Sequence, residues 1–210
     1  MSTLNEQPSL QVTGLHSYRY DKAFFNGLNL CAAPGKLLQI EGENGSGKTT
    51  LLKILCGLIE ADEGEILWGG NDIYSVMQEY RGDLHYLGHK NGIKAGLTCN
   101  ENLKVLSALG NRVNTTDYSE VLEAYGLKGY EDTYAYTLSA GQKRRLSLAR
   151  LSINKARLWI LDEPFTSLDE QGKNDMKKIF QGHLQTGGII LLTSHDNIQW
   201  RDIDILRIRL

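Results

Sequence analysis

The chain has 210 residues, a formal net charge of −2 and 41% hydrophobic residues. A hydrophobic fraction this high with so little net charge excludes an intrinsically disordered chain, and it argues against a protein whose main partner is nucleic acid. Three cysteines without a C-x-x-C pair, and no apolar run near ~20 residues, exclude a disulfide scaffold, a cysteine zinc site and a membrane-spanning helix.

In chain order, the first third of the sequence predicts short strands and one helix. The apolar runs that predict strands lie at residues 10–14, 23–30, 36–41 and 65–68. Residues 48–56 have a helical apolar face, and Gly57 stands where such a helix would end. Gly69 and Gly70 predict a hairpin turn between residues 65–68 and Ile73.

The middle and the end of the chain differ in their apolar spacing. From about residue 92 to 150 the apolar residues recur at helical spacing, which predicts a helical insert. Residues 158–161 and 189–193 are continuous apolar runs, typical of parallel strands covered on both faces. A helical pattern over 169–184 lies between them. We therefore expect a βαβ unit and an α/β core that is interrupted by a helical insert.

A glycine-rich loop between a predicted buried strand and a predicted helix matches the phosphate-binding pattern G-x-x-x-x-G-K-[ST]. The loop and the two threonines that follow it are Gly42, Glu43, Asn44, Gly45, Ser46, Gly47, Lys48, Thr49 and Thr50. Glycines let backbone N–H groups surround a phosphate, and the helix start adds partial positive charge. We expect Lys48 to reach the β- and γ-phosphates of a nucleotide and Thr49 to ligate Mg²⁺. The alternative is a glycine-rich turn with a chance lysine.

Four later segments indicate which family of phosphate-loop proteins the chain resembles. Leu138–Gln142 matches the signature of ATP-binding cassette (ABC) proteins, with Ala140 in place of a glycine. The apolar run that ends at Asp162 and Glu163 resembles Walker B. Residues 167–169 match the D-loop, and His195 matches the switch histidine. With the phosphate loop, these motifs stand in the family's order and cover nearly the whole chain.

The signature segment has two interpretations. A helix predicted over 143–151 would place the Ser139 hydroxyl and the Gly141 N–H at its N-terminus, where they could grip a γ-phosphate. The other interpretation is an ordinary helix start with a serine cap. The charged run 143–145 on that helix predicts a solvated face rather than a nucleic-acid contact.

The resemblance implies an α/β P-loop NTPase core of the ABC type with a mostly parallel sheet, an N-terminal antiparallel β part and an inserted helical subdomain. A single ABC ATPase domain would span 1–210, with the core at about 1–87 and 152–210 and the helical subdomain at about 88–151. In the family, ATP lies between the phosphate loop of one subunit and the signature of another. The resemblance therefore implies a functional dimer.

The resemblance also implies roles for the later motifs. Glu163 would orient or deprotonate the attacking water, His195 would contact the γ-phosphate, and Asp162 would hold Mg²⁺ directly or through water. The residues expected at the nucleotide from the signature and the D-loop are Ser139, Gly141, Gln142 and Asp169.

Two positions depart from the family pattern. His89 stands where ABC proteins usually have glutamine; a ring nitrogen suits Mg²⁺ poorly, so contact with water or a mechanical coupling role is expected there. Arg19 stands where the family usually stacks an aromatic ring on adenine, with Tyr18 and Tyr20 on either side. Tyr18 is the favoured base contact, and strand packing is the alternative for each tyrosine.

Three segments narrow the resemblance further: residues 87–103, LSAGQKRRLSLARL and WILDEPFTSLD. They resemble the ATPase subunit of the cytochrome c maturation system, the CcmA-type haem-exporter family. This implies ATP and Mg²⁺ as cofactors, a CcmB-type integral membrane subunit with CcmC- and CcmD-type proteins, and no nucleic acid.

The family's process is haem export, or release of a haem-loaded chaperone, in c-type cytochrome maturation. The N-terminal segment has no basic stretch followed by an apolar core, so we expect no secretory signal. The expected location is peripheral, at the cytoplasmic face of the inner membrane. The alternatives are the ATPase subunit of another ABC transporter, or a non-transport ABC ATPase of DNA repair or translation.

Overall fold

The computed structural model describes residues 8–19, 22–109, 118–153, 155–195 and 198–210. Its strands are β1 (Leu10–Arg19), β2 (Lys22–Ala32), β3 (Leu37–Glu41), β4 (Glu63–Trp68), β5 (Asn71–Asp72), β6 (Leu84–Leu87), β7 (Leu158–Asp162), β8 (Ile189–Thr193) and β9 (Ile205–Arg209). Its α-helices are α1 (Lys48–Leu55), α2 (Met77–Gly82), α3 (Cys99–Leu109), α4 (Ser119–Ala124), α5 (Ala140–Ala149) and α6 (Glu170–Gln185). Short 3₁₀ turns occupy Ala135–Thr137 and Arg150–Ser152.

A parallel sheet forms the centre of the chain, with strands in the order β6-β7-β8-β3-β9. Every residue of β7 and β8 is buried, which confirms the prediction of parallel strands covered on both faces. The two strands pair directly and α6 connects them, as the predicted βαβ unit requires. Because all five strands run in one direction, the segments after β3, β6, β7 and β8 start from the same edge of the sheet.

An antiparallel sheet, in the order β2-β1-β4-β5, forms the second layer. The hairpin between β4 and β5 turns at Gly69 and Gly70, whose φ angles of 57° and 81° are left-handed. This is the backbone that a two-residue hairpin turn requires, and it confirms the predicted hairpin. β1 is longer than the predicted run 10–14, because a register shift between Val12 and Leu15 lets the strand continue past Gly14.

Helix α1 packs its apolar face between the two sheets. Leu51, Leu52, Ile54 and Leu55 are fully buried in one cluster with residues of β1, β3 and β7. Each such side chain contributes about 1.5–3 kcal/mol when it leaves water. Burial of this face fixes the axis of α1, and with it the loop that precedes the helix. Gly57, two residues past the last helical residue, has a φ of 63°, as expected after a helix end.

The region between β6 and β7 is helical, as predicted. α3 starts with a capping box in which Thr98 and Glu101 each accept a hydrogen bond from the other's backbone N–H, at 3.1 and 2.8 Å. Leu103, Leu122 and Tyr125 are buried in the cluster that also contains α5 and α6. Across the described residues, every helix is too short or too polar to cross a membrane.

Candidate active site

The phosphate loop joins β3 to α1 and is shaped by glycines. Gly47 has a φ of 99°, and a Cβ added there would lie 3.0 Å from Cβ of Phe24. A Cβ on Gly42 would lie 2.5 Å from Oγ of Ser46. Both glycines also have a positive φ, 156° at Gly42 and 99° at Gly47, which residues with a side chain rarely adopt, so the observed backbone favours glycine at both positions.

Lys48 and the start of α1 supply positive charge to this loop. The Lys48 ammonium donates to the carbonyls of Gly42 and Glu43 at 2.7 and 3.0 Å, so the side chain bends back over its own loop. Within the described part of the chain no side chain caps the N-terminus of α1. The arrangement suits a polyphosphate, whose oxygens can accept hydrogen bonds from the lysine and from backbone N–H groups.

A chain of hydrogen bonds connects α1, β7 and β8 at this edge. Asp162 accepts from the Thr49 hydroxyl on Oδ2 at 2.9 Å and from the Thr193 hydroxyl on Oδ1 at 2.8 Å. The Thr193 hydroxyl in turn accepts from the N–H of Glu163 at 3.0 Å. The structure therefore brings the two predicted metal ligands, Thr49 and Asp162, into direct contact. Sequence reasoning missed Thr193; its only signal was a hydroxyl residue at the end of an apolar strand.

Glu163 and His195 also meet here, as predicted. Glu163 has a φ of 49°, in the left-handed region that costs a non-glycine residue about 1–3 kcal/mol. Its Oε2 accepts from the His195 backbone N–H at 3.3 Å, and Nε2 of His195 lies 3.4 Å from its Oε1. Oε1 is buried and accepts no hydrogen bond from any described residue.

These groups surround one cavity of about 550 Å³, a size typical of small-molecule sites. Its lining comprises Phe24, Asn44, Gly45, Gly47, Lys48, Thr49, Thr50, His89, Asp162, Glu163, Thr166 and His195. Gly42 and Glu43 line a neighbouring cavity of about 850 Å³, to which His195 also contributes. Four loops from the same sheet edge thus converge on one space.

Several predicted residues lie outside the lining of the first cavity: Ser46, Tyr18, Ser139, Gly141, Gln142 and Asp169. Tyr18 is 46% exposed, and its hydroxyl lies 3.1 Å from Nδ1 of His16. Tyr20 lies outside the described residues. Phe24, taken from the sequence only as a strand residue, is the aromatic side chain that lines the cavity. A base contact by Tyr18 stays a prediction.

The signature segment forms a capped helix start. The predicted helix 143–151 is wrong at both ends, because α5 begins at Ala140 and gives way to a 3₁₀ turn at Arg150. The reason is a capping box: Gln142 N–H donates to the Ser139 hydroxyl at 3.2 Å, and the Ser139 N–H donates to Oε1 of Gln142 at 2.9 Å. A Cβ on Gly141 would lie 2.9 Å from the carbonyl oxygen of Ser167 in the D-loop.

Asp169 ends the D-loop and caps α6. It accepts from the Gly172 N–H at 2.9 Å and from Nη2 of Arg145 at 2.7 Å. Both hydrogen bonds hold the pKa of the Asp169 carboxyl below its ordinary value. In this position the residue fixes the path of the D-loop.

The expectation that the run 143–145 forms a solvated face is wrong for its two arginines. Arg144 is 3% exposed, and the Arg145 side chain is 14% exposed. Arg145 bonds Asp169 and Asp175, whereas Arg144 bonds backbone carbonyls beside the cavity. Loop carbonyls at the end of β7 supply acceptors to a buried charge, which the charge pattern of the sequence does not reveal.

Comparison with known proteins agrees with this geometry. The family model described as ABC transporter matches residues 25–166. The cytochrome c biogenesis ATP-binding export protein CcmA of Yersinia pseudotuberculosis is 46% identical, over 90% of this chain and 87% of that protein. The protein of the same name from Aliivibrio fischeri is 42% identical, over 96% and 98%.

Among solved structures, a putative ABC transporter ATP-binding protein from Pyrococcus furiosus superposes with a TM-score of 0.82. It is 26% identical to this chain, and the match covers 96% of this chain and 97% of that one. The α/β core with its phosphate loop is therefore an ABC ATPase fold. The chain belongs to the ABC transporter family of ATP-binding proteins and, within it, to the group of cytochrome c biogenesis export proteins.

Proposed function

We propose that the chain is the ATP-hydrolysing subunit of a membrane complex that exports haem, or releases a haem-loaded chaperone, in c-type cytochrome maturation. The proposal that the chain hydrolyses ATP rests on one observation. The same cavity is lined by Lys48, Asp162, Glu163 and His195. The names of the similar proteins carry the link to cytochrome c biogenesis.

The reaction follows from the side chains at the cavity. Water attacks the γ-phosphorus of ATP, the bond to the β–γ bridging oxygen breaks, and ADP and phosphate form. Oε1 of Glu163 takes the proton of the attacking water, while the His195 backbone N–H holds the other carboxylate oxygen at 3.3 Å. The Lys48 ammonium exchanges its two carbonyl acceptors for phosphate oxygens and balances the charge that develops on them. His195 is placed to contact the γ-phosphate.

The donors present suit Mg²⁺. Oγ1 of Thr49 and Oδ2 of Asp162 lie 2.9 Å apart, and oxygen atoms are the ligands that this ion prefers. Thr193 holds the other Asp162 oxygen, so the carboxylate is fixed with one oxygen toward Thr49. Thr49 and Asp162 would hold the ion, which would neutralise charge on the β- and γ-phosphates. His89 lines the same cavity but offers a ring nitrogen rather than an oxygen. We therefore assign to it a contact with water or a role in mechanical coupling.

A dimer of this chain completes the nucleotide site in this proposal. The signature residues Ser139, Gly141 and Gln142, together with Asp169, do not line the cavity of their own chain. The start of α5 carries partial positive charge and lies outside the lining of this cavity, so a second copy would bring it to the γ-phosphate. Adenine would stack on Tyr18, with Phe24 at the cavity wall.

The proposed partners are an integral membrane subunit of the CcmB type and CcmC- and CcmD-type proteins. In this assignment 1–210 is a single ABC ATPase domain with a core at about 1–87 and 152–210. The helical subdomain, about 88–151, is the docking side for the membrane subunit, at the cytoplasmic face of the inner membrane. The printed description of the similar proteins as export proteins supports a membrane complex.

Co-purification with a trapped variant tests this proposal. Glu163→Gln should bind ATP without turnover and stabilise the complex, so the tagged variant is isolated from membranes in mild detergent and its partners are identified by mass spectrometry. Glu170→Gln is the matched control, since that side chain is 87% exposed at the start of α6. Recovery of a CcmB-type protein supports the proposal.

Two other results would contradict it. An unrelated multispan permease would remove the cytochrome c assignment and leave the transport ATPase. Recovery with ribosomes or nucleic acid, away from membranes, would overturn the transport function itself.

A further inference from the structure

Arg144 is a buried charge on α5 whose hydrogen bonds reach the end of β7. Its Nη2 donates to the carbonyl oxygens of Asp162 and Glu163 at 3.0 and 2.6 Å, and its Nε donates to that of Pro164 at 3.0 Å. Three successive carbonyls therefore converge on one guanidinium. They belong to the turn in which Glu163 adopts its left-handed φ of 49°.

The remaining donor of Arg144 reaches a second loop of the cavity. Nη1 donates to Oδ1 of Asn91 at 3.2 Å and to the carbonyl of Gly88 at 3.5 Å. Between these two residues stands His89, which lines the cavity. The Ser147 hydroxyl, one turn along α5, donates to the Asn91 carbonyl at 2.6 Å. The loop 88–91 is thus bonded to the same helix face as the Glu163 turn.

This set of acceptors needs a guanidinium. The N–H groups of a guanidinium lie in one plane and point in different directions, so one arginine side chain can donate to acceptors on two loops. The lysine ammonium places all its donors on one nitrogen and cannot reach both loops at once. Burial lowers the pKa of Arg144, and the charges of Asp162 and Glu163 act in the opposite direction. Arginine nonetheless stays charged in proteins, so these carbonyls remain bonded to a permanent cation.

We infer that Arg144 is a positioning residue for turnover, which holds the Glu163 turn and the loop that carries His89 in a fixed relation beside the cavity. This inference rests on the proposed ATPase function. Without the guanidinium, the left-handed Glu163 turn loses three hydrogen bonds at once. Its carboxylate then samples orientations in which it cannot receive the proton of the attacking water. The phosphate loop makes its own contacts and keeps its affinity for nucleotide.

The test is steady-state kinetics and nucleotide binding of the purified full chain carrying Arg144→Lys. We expect kcat to fall about 30-fold or more, with KM and the affinity for ATP within about threefold of the parent chain. A residue that served only global folding would lower thermal stability and the fraction of active protein, so kcat is calculated per ATP-binding site titrated in the same sample. Arg150→Lys is the matched control, because Arg150 donates to the Asn91 carbonyl at 3.5 Å but, among described residues, to none of 162–164. It should keep kcat within about twofold.

Each outcome decides the inference. Unchanged kcat in Arg144→Lys, or an equal loss in Arg150→Lys, overturns it. If Arg144→Lys does not fold, Asn91→Ala decides: a fall in kcat of about fivefold at constant KM supports the inference, and an unchanged kcat overturns it. Whether the parent chain hydrolyses ATP shows which has failed, the proposed function or the role of Arg144. A parent chain without ATPase activity, both alone and in the membrane complex, refutes the proposed function, whereas an active parent with an active Arg144→Lys refutes only the role of Arg144.

Discussion

Strands β7 and β8 have two very different ends. At their carboxyl ends, Asp162, Glu163 and Thr193 form a polar hydrogen-bonded network that opens on the cavity. At their amino ends, Trp159 of β7 stacks on His183 of α6, with ring centroids 3.7 Å apart and an angle of 6° between the planes. One end carries charge and a strained backbone for chemistry, and the other packs aromatic rings for stability. Substitutions at the two ends should therefore separate activity from stability.

The largest losses of activity are expected at Glu163 and Lys48, and only the loss at Glu163 should leave ATP binding intact. Replacement by Gln keeps the shape of the side chain and removes its ability to take a proton. The loss of kcat should be about 10³-fold, since a general base contributes roughly 10²–10⁴. Phosphate release measures it, and the melting temperature should stay within about 2 °C of the parent. Normal turnover in this variant would refute the assignment of Glu163 as the base.

Lys48→Ala should abolish detectable hydrolysis and also weaken ATP binding, by about tenfold or more, because the proposed charge contact with the phosphates is lost. Titration with a fluorescent nucleotide measures the affinity. Lys53→Ala, in the last turn of the same helix, is the control and should keep both properties. Equal affinities of parent and Lys48→Ala would contradict the placement of the triphosphate at this loop.

Substitution of Gly188 tests whether the packing at the amino ends of β7 and β8 stabilises the fold. A Cβ added there would lie 2.3 Å from Nε2 of His183, so alanine would displace the imidazole from Trp159. We expect Gly188→Ala to lower the free energy of unfolding by about 1–3 kcal/mol, as overpacked cores do. Denaturant unfolding measures this loss, and kcat at low temperature should change less than about twofold. Gly182→Ala is the matched control, since a Cβ there meets nothing within 4 Å.

The smallest effect near neutral pH is a pH dependence of stability that originates at His183. Burial lowers the pKa of this imidazole from 6.5 to about 4. The unfolded chain therefore takes up the extra proton first, and stability falls as the pH drops from about 6.5 toward 4. The slope is at most about 1.4 kcal/mol per pH unit. His183→Phe keeps an aromatic ring against Trp159 and removes the titration, so its unfolding free energy should depend less on pH than that of the parent. An equal slope in both chains would place the proton uptake elsewhere.

The two ends also differ in how far the sequence predicts them. Periodicity and the apolar runs predicted β7, β8 and α6, because burial on both faces leaves a pattern that is local in the chain. The phosphate loop and Glu163 were equally visible as motifs. Arg144 was misread as solvated, because the carbonyls that satisfy it come from loops 18 to 56 residues away in the chain. Spacing in one segment carries no information about such partners.

The capping box at the start of α5 also differs from what the sequence predicted, although its two residues are only three positions apart. Ser139 was recognised as a helix cap in one interpretation, yet the helix was expected to start at Lys143. The reciprocal bonds of Ser139 and Gln142 start it at Ala140 instead. The pairing follows a known sequence pattern, serine followed three residues later by glutamine.

Ala140 and Gly141 occupy positions where the family signature usually has two glycines, and their surroundings are unequal. The Ala140 side chain is exposed, whereas a methyl group on Gly141 would meet the Ser167 carbonyl oxygen at 2.9 Å. The fold of the single chain therefore accepts a methyl group at the first position, while the second should stay glycine as long as the D-loop keeps its path. A search pattern that demands both glycines would pass over this chain.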